Sequence, residues 1–171
     1  MRLHIGGEIT KTGWSIVNIQ PGPHVDFVCD CKDLSQIEDQ SVKEIYASHV
    51  LEHLGYLNEL PVALREWHRV LKPGGAVLIS VPDLDALCKH YLTPGLSAKD
   101  RFHIMRMMFG GQGNPFDFHK VGLNEDFLRS FLLEAGFRNP KRVKQFVHFD
   151  DGSRQTFWDK EPVSLNMKAT K

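Results

Sequence analysis

The chain has 171 residues, 42% of them hydrophobic, with 21 Lys plus Arg against 21 Asp plus Glu and three cysteines. That length is most simply one domain with a real core, and a formal charge of zero offers no basic surplus for nucleic acid or an anionic membrane. No apolar run reaches the roughly 18 residues of a transmembrane helix, MRLHIGG holds no apolar signal region, and Cys29, Cys31 and Cys88 are too few and too uneven for a disulfide framework, so a reducing cytoplasm is expected.

In chain order, Arg2 to Ile5 reads as a strand that Gly6 and Gly7 break. Trp14 to Ile19 (WSIVNI) is a second strand, closed by QPGP. Val25 to Cys29 is a short third. The C-x-C pair at its end lacks a partner pair, so small strand-end residues are expected there rather than a metal or redox motif. Asp33 to Gln40 is a loop. VKEIYAS forms a fourth strand, firmest over Ile45 to Ser48, and runs into SHVLEHL. Leu57, Leu60, Leu64, Trp67 and Leu71 recur at alternating steps of three and four, which predicts an amphipathic helix over 57–71. Asn58 is its expected N-cap, Pro61 falls in its first turn, and Pro73-Gly74-Gly75 is its stop. Ala76 to Val81 is a buried fifth strand. A strand–helix–strand unit implies a parallel sheet.

The stretch from Leu84 to Leu123 predicts one helix after Pro82 and another over Ala98 to Phe109, capped by Ser97. The irregular GGQGNPFDFHKVG follows, and loops of such length are usually functional or covering segments. A helix from Asn124 to Ala135 has Asn124 as cap, Gly136 at its end, and Phe127, Leu128, Phe131, Leu132 and Ala135 as its apolar face. Two late strands are expected, over Arg142 to Phe149 and Val163 to Ala169. The short basic cluster of Lys141, Arg142 and Lys144 reads as a solvated face. Phe102, Phe109, Phe116 and Phe118, with Met105, Met107 and Met108, form a packing or dimer surface, or else the wall of an acceptor pocket. The links between the first three strands, about seven and about five residues, fall short of the ten or so that a helical crossover needs. One sheet face therefore lacks its helices. Bare apolar faces do not stay in water, so the Leu96–Gly122 insertion or a second copy is expected to cover it.

The ordered blocks LHIGGEITKTGWSIVNIQPGPHVDFVCDCKDL, YASHVLEHL, EWHRVLKPGG, ISVPDLDAL, MFGGQGNPFDFHKVG, LLEAGF, FDDGS and SLNMKA resemble class I S-adenosylmethionine-dependent methyltransferases. The resemblance is nearest to small predicted members that open at the first strand. It implies an α/β fold of three layers, Rossmann-like, with a mostly parallel seven-stranded sheet whose last strand is antiparallel. Helices over the first three strands are reduced. It also implies a single domain over 1–171 with an insertion at about 96–122, S-adenosylmethionine as cofactor, and a small-molecule or sugar-like methyl acceptor; the charge balance adds no nucleic-acid or membrane partner, and the bare sheet face admits a homodimer. Carried over by position, Gly6 and Gly7 would form the cofactor turn and Gln20 would meet the ribose. Asp30 and Cys31 would flank the adenine, and Ser48 and His49 would lie against the methionine end. His4, Glu8 and Gln20 stand where the family pattern has an acid, a glycine and an acid. A glutamine lacks the charge-assisted bond of a carboxylate. A domain that has lost the cofactor and serves as a binding or assembly module is therefore the second reading.

Methyl transfer asks the protein mainly to align the acceptor with the methyl carbon. An oxygen or nitrogen acceptor also needs a base, and His49, His53, His103 and His119 are candidates. His53, after the fourth strand, and His119, in DFHK of the insertion, are the preferred pair. Asp83, just past the fifth strand, is equally placed but is as readily an N-cap. His49 to His53 also fits H-x-x-E-H, the inverted zinc-protease pattern, which makes a zinc hydrolase the third reading. That motif leaves a strand at once instead of lying within a long helix, so no metal ligands are assigned.

Overall fold

The computed structural model describes residues 1–171. The strands are β1 (Arg2–Ile5), β2 (Ser15–Asn18), β3 (Phe27–Val28), β4 (Val42–Ser48), β5 (Leu71–Pro82), β6 (Arg138–Arg142) and β7 (Ser164–Thr170). The helices are α1 (Leu60–Val70), α2 (Leu84–Tyr91), α3 (Ala98–Phe109) and α4 (Glu125–Glu134). One seven-stranded sheet runs in the order β3-β2-β1-β4-β5-β7-β6. The first five strands pair in parallel, and β7 lies antiparallel between β5 and β6. The expected α/β fold and mostly parallel sheet are thus observed, and no helix joins β1 to β2 or β2 to β3.

Strand side chains alternate between faces. Leu3, Ile5, Ile45, Ala47, Val77, Ile79, Leu165 and Met167 all join one core with the inner sides of α1 and α4. Trp67 is its largest fully buried side chain. Its indole N–H donates to the Cys31 carbonyl at 3.0 Å, which ties the loop after β3 to the helix. A buried indole N–H needs such a partner.

The helix α1 starts later than its periodicity predicts. Leu57 is 72% exposed and Asn58 is not the cap. Glu59 stands at the N-cap without a side-chain cap bond, because its carboxylate is engaged elsewhere. Nor does the Pro73-Gly74-Gly75 stop end the helix. Leu71 is already extended, and the three residues form the irregular entry to β5, where pairing slips between Val42 and Glu44. Local caps were easier to read. Asn124 accepts from the Phe127 amide at 2.9 Å, Ser97 from that of Asp100 at 3.1 Å, and Gly136 has φ +95°.

The opposite sheet face corrects two expectations. The chain after β6 covers it, in place of the expected Leu96–Gly122 insertion. Tyr46 and Leu78 point from the sheet to Phe146 and Phe149, with Trp14 alongside. The His4 ring stacks on Phe149 at 3.9 Å. The Tyr46 hydroxyl donates to Asp151 at 2.8 Å and lies 3.1 Å from Ser153 Oγ, while Asn166 Nδ2 donates to the Ser153 carbonyl at 2.9 Å. The strand expected over 142–149 is therefore not formed. β6 ends at Arg142, and the buried side chains beyond it follow a spacing of three, not the two of a strand. β6 is an edge strand that carries Pro140, Arg138, Lys141 and Arg142, residues that suit an edge.

Candidate active site

A cavity of about 410 Å³ opens at the carboxyl ends of β1, β2 and β4, where ligands sit in parallel α/β sheets. Ile5, Val17, Ile19, Val50 and Leu54 give it an apolar slot. Gly6, Gln20, Asp30, Cys31, His49 and His53 line it as well. Six residues nominated from sequence thus meet around one space, although they come from four separate loops.

Local chemistry fixes their positions. Gly6 has φ +70°, a left-handed backbone that favours glycine, and a Cβ there would meet Val50 Cγ2 at 2.5 Å. Gly6 N–H donates to the Val17 carbonyl at 2.8 Å. Asp30 accepts from the Lys32 amide at 3.0 Å, an Asx turn, and pairs with Lys32 Nζ at 3.3 Å. Burial pushes the Cys31 thiol up to about 12, with the Asp30 charge adding to it, so this cysteine is no thiolate. All three cysteines are free.

Gly7 and Ser48 do not line this cavity. A Cβ on Gly7 would lie 2.5 Å from the His4 ring, so its glycine serves the packing of the opposite face. Ser48 points to the same side of the sheet as Tyr46. Asp83 is the N-cap of α2 and accepts from the Asp85 amide; its other oxygen takes Arg142 at 2.7 Å, while the Arg142 side chain stays exposed. His103 is exposed on α3 and lines no part of the cavity.

The insertion loop reaches the cavity. Phe116 and Phe118 line its mouth, and Phe102 and Phe109 stay exposed on α3 and its end. The Asp117 carboxylate accepts from the Gly113 amide at 3.1 Å, and a Cβ on Gly110 would overlap the Asp117 carbonyl, so the glycines of GGQG allow a tight wrap. Glu59 ties the rim together. It accepts from Lys32 at 2.8 Å, Lys120 at 2.7 Å and the Gly55 amide at 2.7 Å, and these bonds hold its carboxyl at about 2. Sequence reasoning missed Glu59 and also Asn18. The Asn18 amide donates to the Gly7 carbonyl and its oxygen accepts from the Gln20 amide at 3.0 Å, linking the turns after β1 and β2. An asparagine at a strand end was the available signal.

His53 and His119, nominated from distant segments, stand edge to face with ring centroids 4.8 Å apart. His53 Nδ1 lies 3.1 Å from the Phe118 carbonyl, and His119 Nδ1 lies 3.0 Å from that of Met107. A carbonyl only accepts, so each Nδ1 is the donor, which makes Nε2 the ring nitrogen available to accept a proton or an ion. Burial holds His119 below its ordinary value, against the opposing charge of Glu52. Glu52 is 1% exposed and lies 3.2 Å from His49 Nδ1, without hydrogen-bond alignment. Burial works to raise the Glu52 carboxyl, but the His49 contact and the charges of His49 and His53 outweigh it, and the net shift is down. Burial likewise opposes charge on His49, yet Glu52 carries it upward. The zinc-protease arrangement does not form, because Leu51–His53 is a 3₁₀ turn that sends His49 and His53 different ways.

Residues 11–79 match the family model described as a methyltransferase domain. No curated protein matches the chain. Among solved structures, it is similar over 99% of its length to a SAM-dependent methyltransferase from Archaeoglobus fulgidus, at 17% identity, TM-score 0.61 and 85% of that chain. A possible histamine N-methyltransferase from Thermotoga maritima aligns over 99% of this chain and 81% of its own, at 16% identity and TM-score 0.61. A Burkholderia thailandensis 1,6-didemethyltoxoflavin-N1-methyltransferase, solved with 1,6-didemethyltoxoflavin and S-adenosylhomocysteine, aligns over 99% and 70%, at 17% identity and TM-score 0.58. Residues 11–79 thus carry a methyltransferase-domain match, and the whole chain shares the fold of these solved methyltransferases.

Proposed function

We propose that the chain binds S-adenosylmethionine in the cavity after β1, β2 and β4 and transfers its methyl group to a small-molecule or sugar-like acceptor. The observation that carries this reading is the meeting of Gly6, Gln20, Asp30, Cys31, His49 and His53 around one space. The residues fit the cofactor. The left-handed Gly6 leaves the backbone open to the slot, Ile19 and Val50 offer apolar walls to a flat heterocycle, and Gln20 stands at the rim with an amide for hydroxyls. The Burkholderia neighbour holds S-adenosylhomocysteine on the same fold. Gly7 and Ser48 support the turn and the strand end from the other side.

When bound, the cofactor supplies an activated methyl group and a thioether leaving group. This chain's residues do the positioning. Phe116 and Phe118 narrow the mouth, and the Lys32–Glu59–Lys120 rim suits a hydroxylated acceptor. His53 and His119 activate it, because each holds a free Nε2 lone pair where an acceptor proton must leave. A homodimer and a reducing, cytoplasmic setting complete the reading, supported by the exposed Phe102 and Phe109 and the three free cysteines. Gln20 and Glu8 favour a second reading, a domain that has lost the cofactor and serves in assembly.

Calorimetric titration with S-adenosylhomocysteine, on protein cleared of carried-over ligand, separates the two. Saturable one-to-one binding is expected, and Gly6→Leu should abolish it in a chain that keeps its circular dichroism. No binding up to millimolar ligand rejects the enzyme in favour of the assembly module.

A further inference from the structure

Where the insertion loop meets the turn after β4, three side chains converge at His53. Donor atoms of Glu52, His53 and His119 lie within 4.8 Å of one another. Glu52 is almost wholly buried, and neither of its carboxylate oxygens has a hydrogen-bond partner. A buried carboxylate left this way is costly unless something of opposite charge completes it. His49 approaches one oxygen at 3.2 Å, off the hydrogen-bond axis, and leaves the second oxygen with nothing.

The two imidazoles are set as ligands usually are. A metal-bound histidine almost always donates its other N–H to a carbonyl or carboxylate, which fixes both tautomer and ring. Here the Phe118 and Met107 carbonyls take those protons. The main chain reinforces the frame, since the Lys120 amide donates to the Glu52 carbonyl at 2.7 Å and the His119 amide to that of Phe109 at 3.2 Å. Loop and turn are thus stitched together on both sides of the cluster.

We propose that Glu52, His53 and His119 form a binding site for a divalent transition-metal ion, with zinc as the leading occupant. Two histidines and one glutamate are a recognised set for catalytic zinc, which keeps a position open for water or substrate. Bonds of about 2.0–2.1 Å set tetrahedral donors about 3.4 Å apart, so the three side chains close by roughly an ångström on binding. These ligands differ from the H-x-x-E-H pattern, in which Glu52 would be the base and His49 a ligand.

This site deepens the methyl-transfer reading and rests on it for its purpose; with the ion bound, His53 and His119 are its ligands, and the ion rather than the two imidazoles activates the acceptor. His53 also lines the cofactor cavity, so an ion held by this cluster stands at the edge of that cavity. An ion there lowers the pKa of an acceptor hydroxyl. The hydroxyl proton leaves to solvent, and the oxygen lone pair forms the new bond to the methyl carbon. The C–S electron pair stays on sulfur, which becomes a neutral thioether. No oxidant or reductant is needed.

The test is calorimetric titration of zinc alone into the chelator-treated full chain, with no cofactor present. One saturable site is expected, weakened roughly tenfold or more by His119→Ala and by Glu52→Gln, and unchanged by His103→Ala, which removes an exposed histidine outside the cluster. Absence of saturation up to millimolar zinc overturns the proposal, as does a site that both variants leave intact. If a variant fails to fold, X-ray absorption of the zinc-loaded wild type decides: two imidazoles at zinc support the site, and fewer than two reject it. A chain that takes zinc but not S-adenosylhomocysteine keeps this site and loses the methyl-transfer reading; the reverse result loses only the site.

Discussion

The two faces of the sheet solve the same problem with different materials. One is packed by α1 and α4, whose apolar positions recur with helical spacing and bury a cluster of 26 residues. The other is sealed by irregular chain, where four buried residues and a set of edge-to-face rings stand in for helices. The helical face relies on area. The aromatic face adds polar bolts, with Tyr46 and Asn166 joined to the Asp151–Ser153 turn. The difference teaches that a parallel sheet tolerates lost crossover helices when a distant segment brings enough rings. It also ties the Gly6–Gly7 turn to the less conventional face, because Gly7 leaves room for His4, and His4 stacks on Phe149.

The largest expected effect lies on the helical face. Trp67→Ala removes the biggest buried side chain and its bond to Cys31, and should cost about 5 kcal/mol, the top of the range for such truncations. Denaturant unfolding measures it; a loss near 1 kcal/mol would mean that the helical face does not dominate stability. Phe149→Ala should cost less, about 3 kcal/mol, but act more locally. Amide exchange over 6–9 should quicken and S-adenosylhomocysteine affinity should fall, while the α1 amides stay protected. Equal quickening on both faces would erase the distinction.

The smallest effect is on the rim of the helical side. The Glu59 carboxyl lies at about 2 in the fold, against an ordinary value of 4.5. A depressed folded pKa contributes stability above pH 4.5 that disappears as pH falls towards 2. Wild type should therefore exceed Glu59→Gln in stability at neutral pH and converge with it near the acid end. A gap that does not change with pH would show that Glu59 acts through shape alone.

Much of the fold was legible because its causes are local. Leu3 and Ile5 against His4, or Val77 and Ile79 against Leu78, alternate as a strand requires, and Asn124, Ser97 and Asp83 cap the helices that follow them. Asn58 was misread because the start of α1 is set by tertiary bonds to Glu59 rather than by a cap. The aromatic cover was illegible because Val143, Phe146 and Phe149 follow no strand period and their partners lie about a hundred residues earlier. At the candidate site, His53 and His119 could be nominated from position. Their tautomers could not, because these depend on the Phe118 and Met107 carbonyls, which only the folded loop supplies.

The aromatic cover has a consequence for synthesis. The chain leaves the ribosome with β1, β2 and β4 first, and Tyr46 meets Asp151 only after 105 further residues have been added. Until then the nascent sheet shows solvent an apolar face with the Gly6–Gly7 turn unsupported, the kind of surface that invites chaperones or aggregation. Maturation of the cavity thus waits on a stretch translated about a hundred residues after the strands it covers, and a message cut short before residue 150 would yield strands in search of a cover.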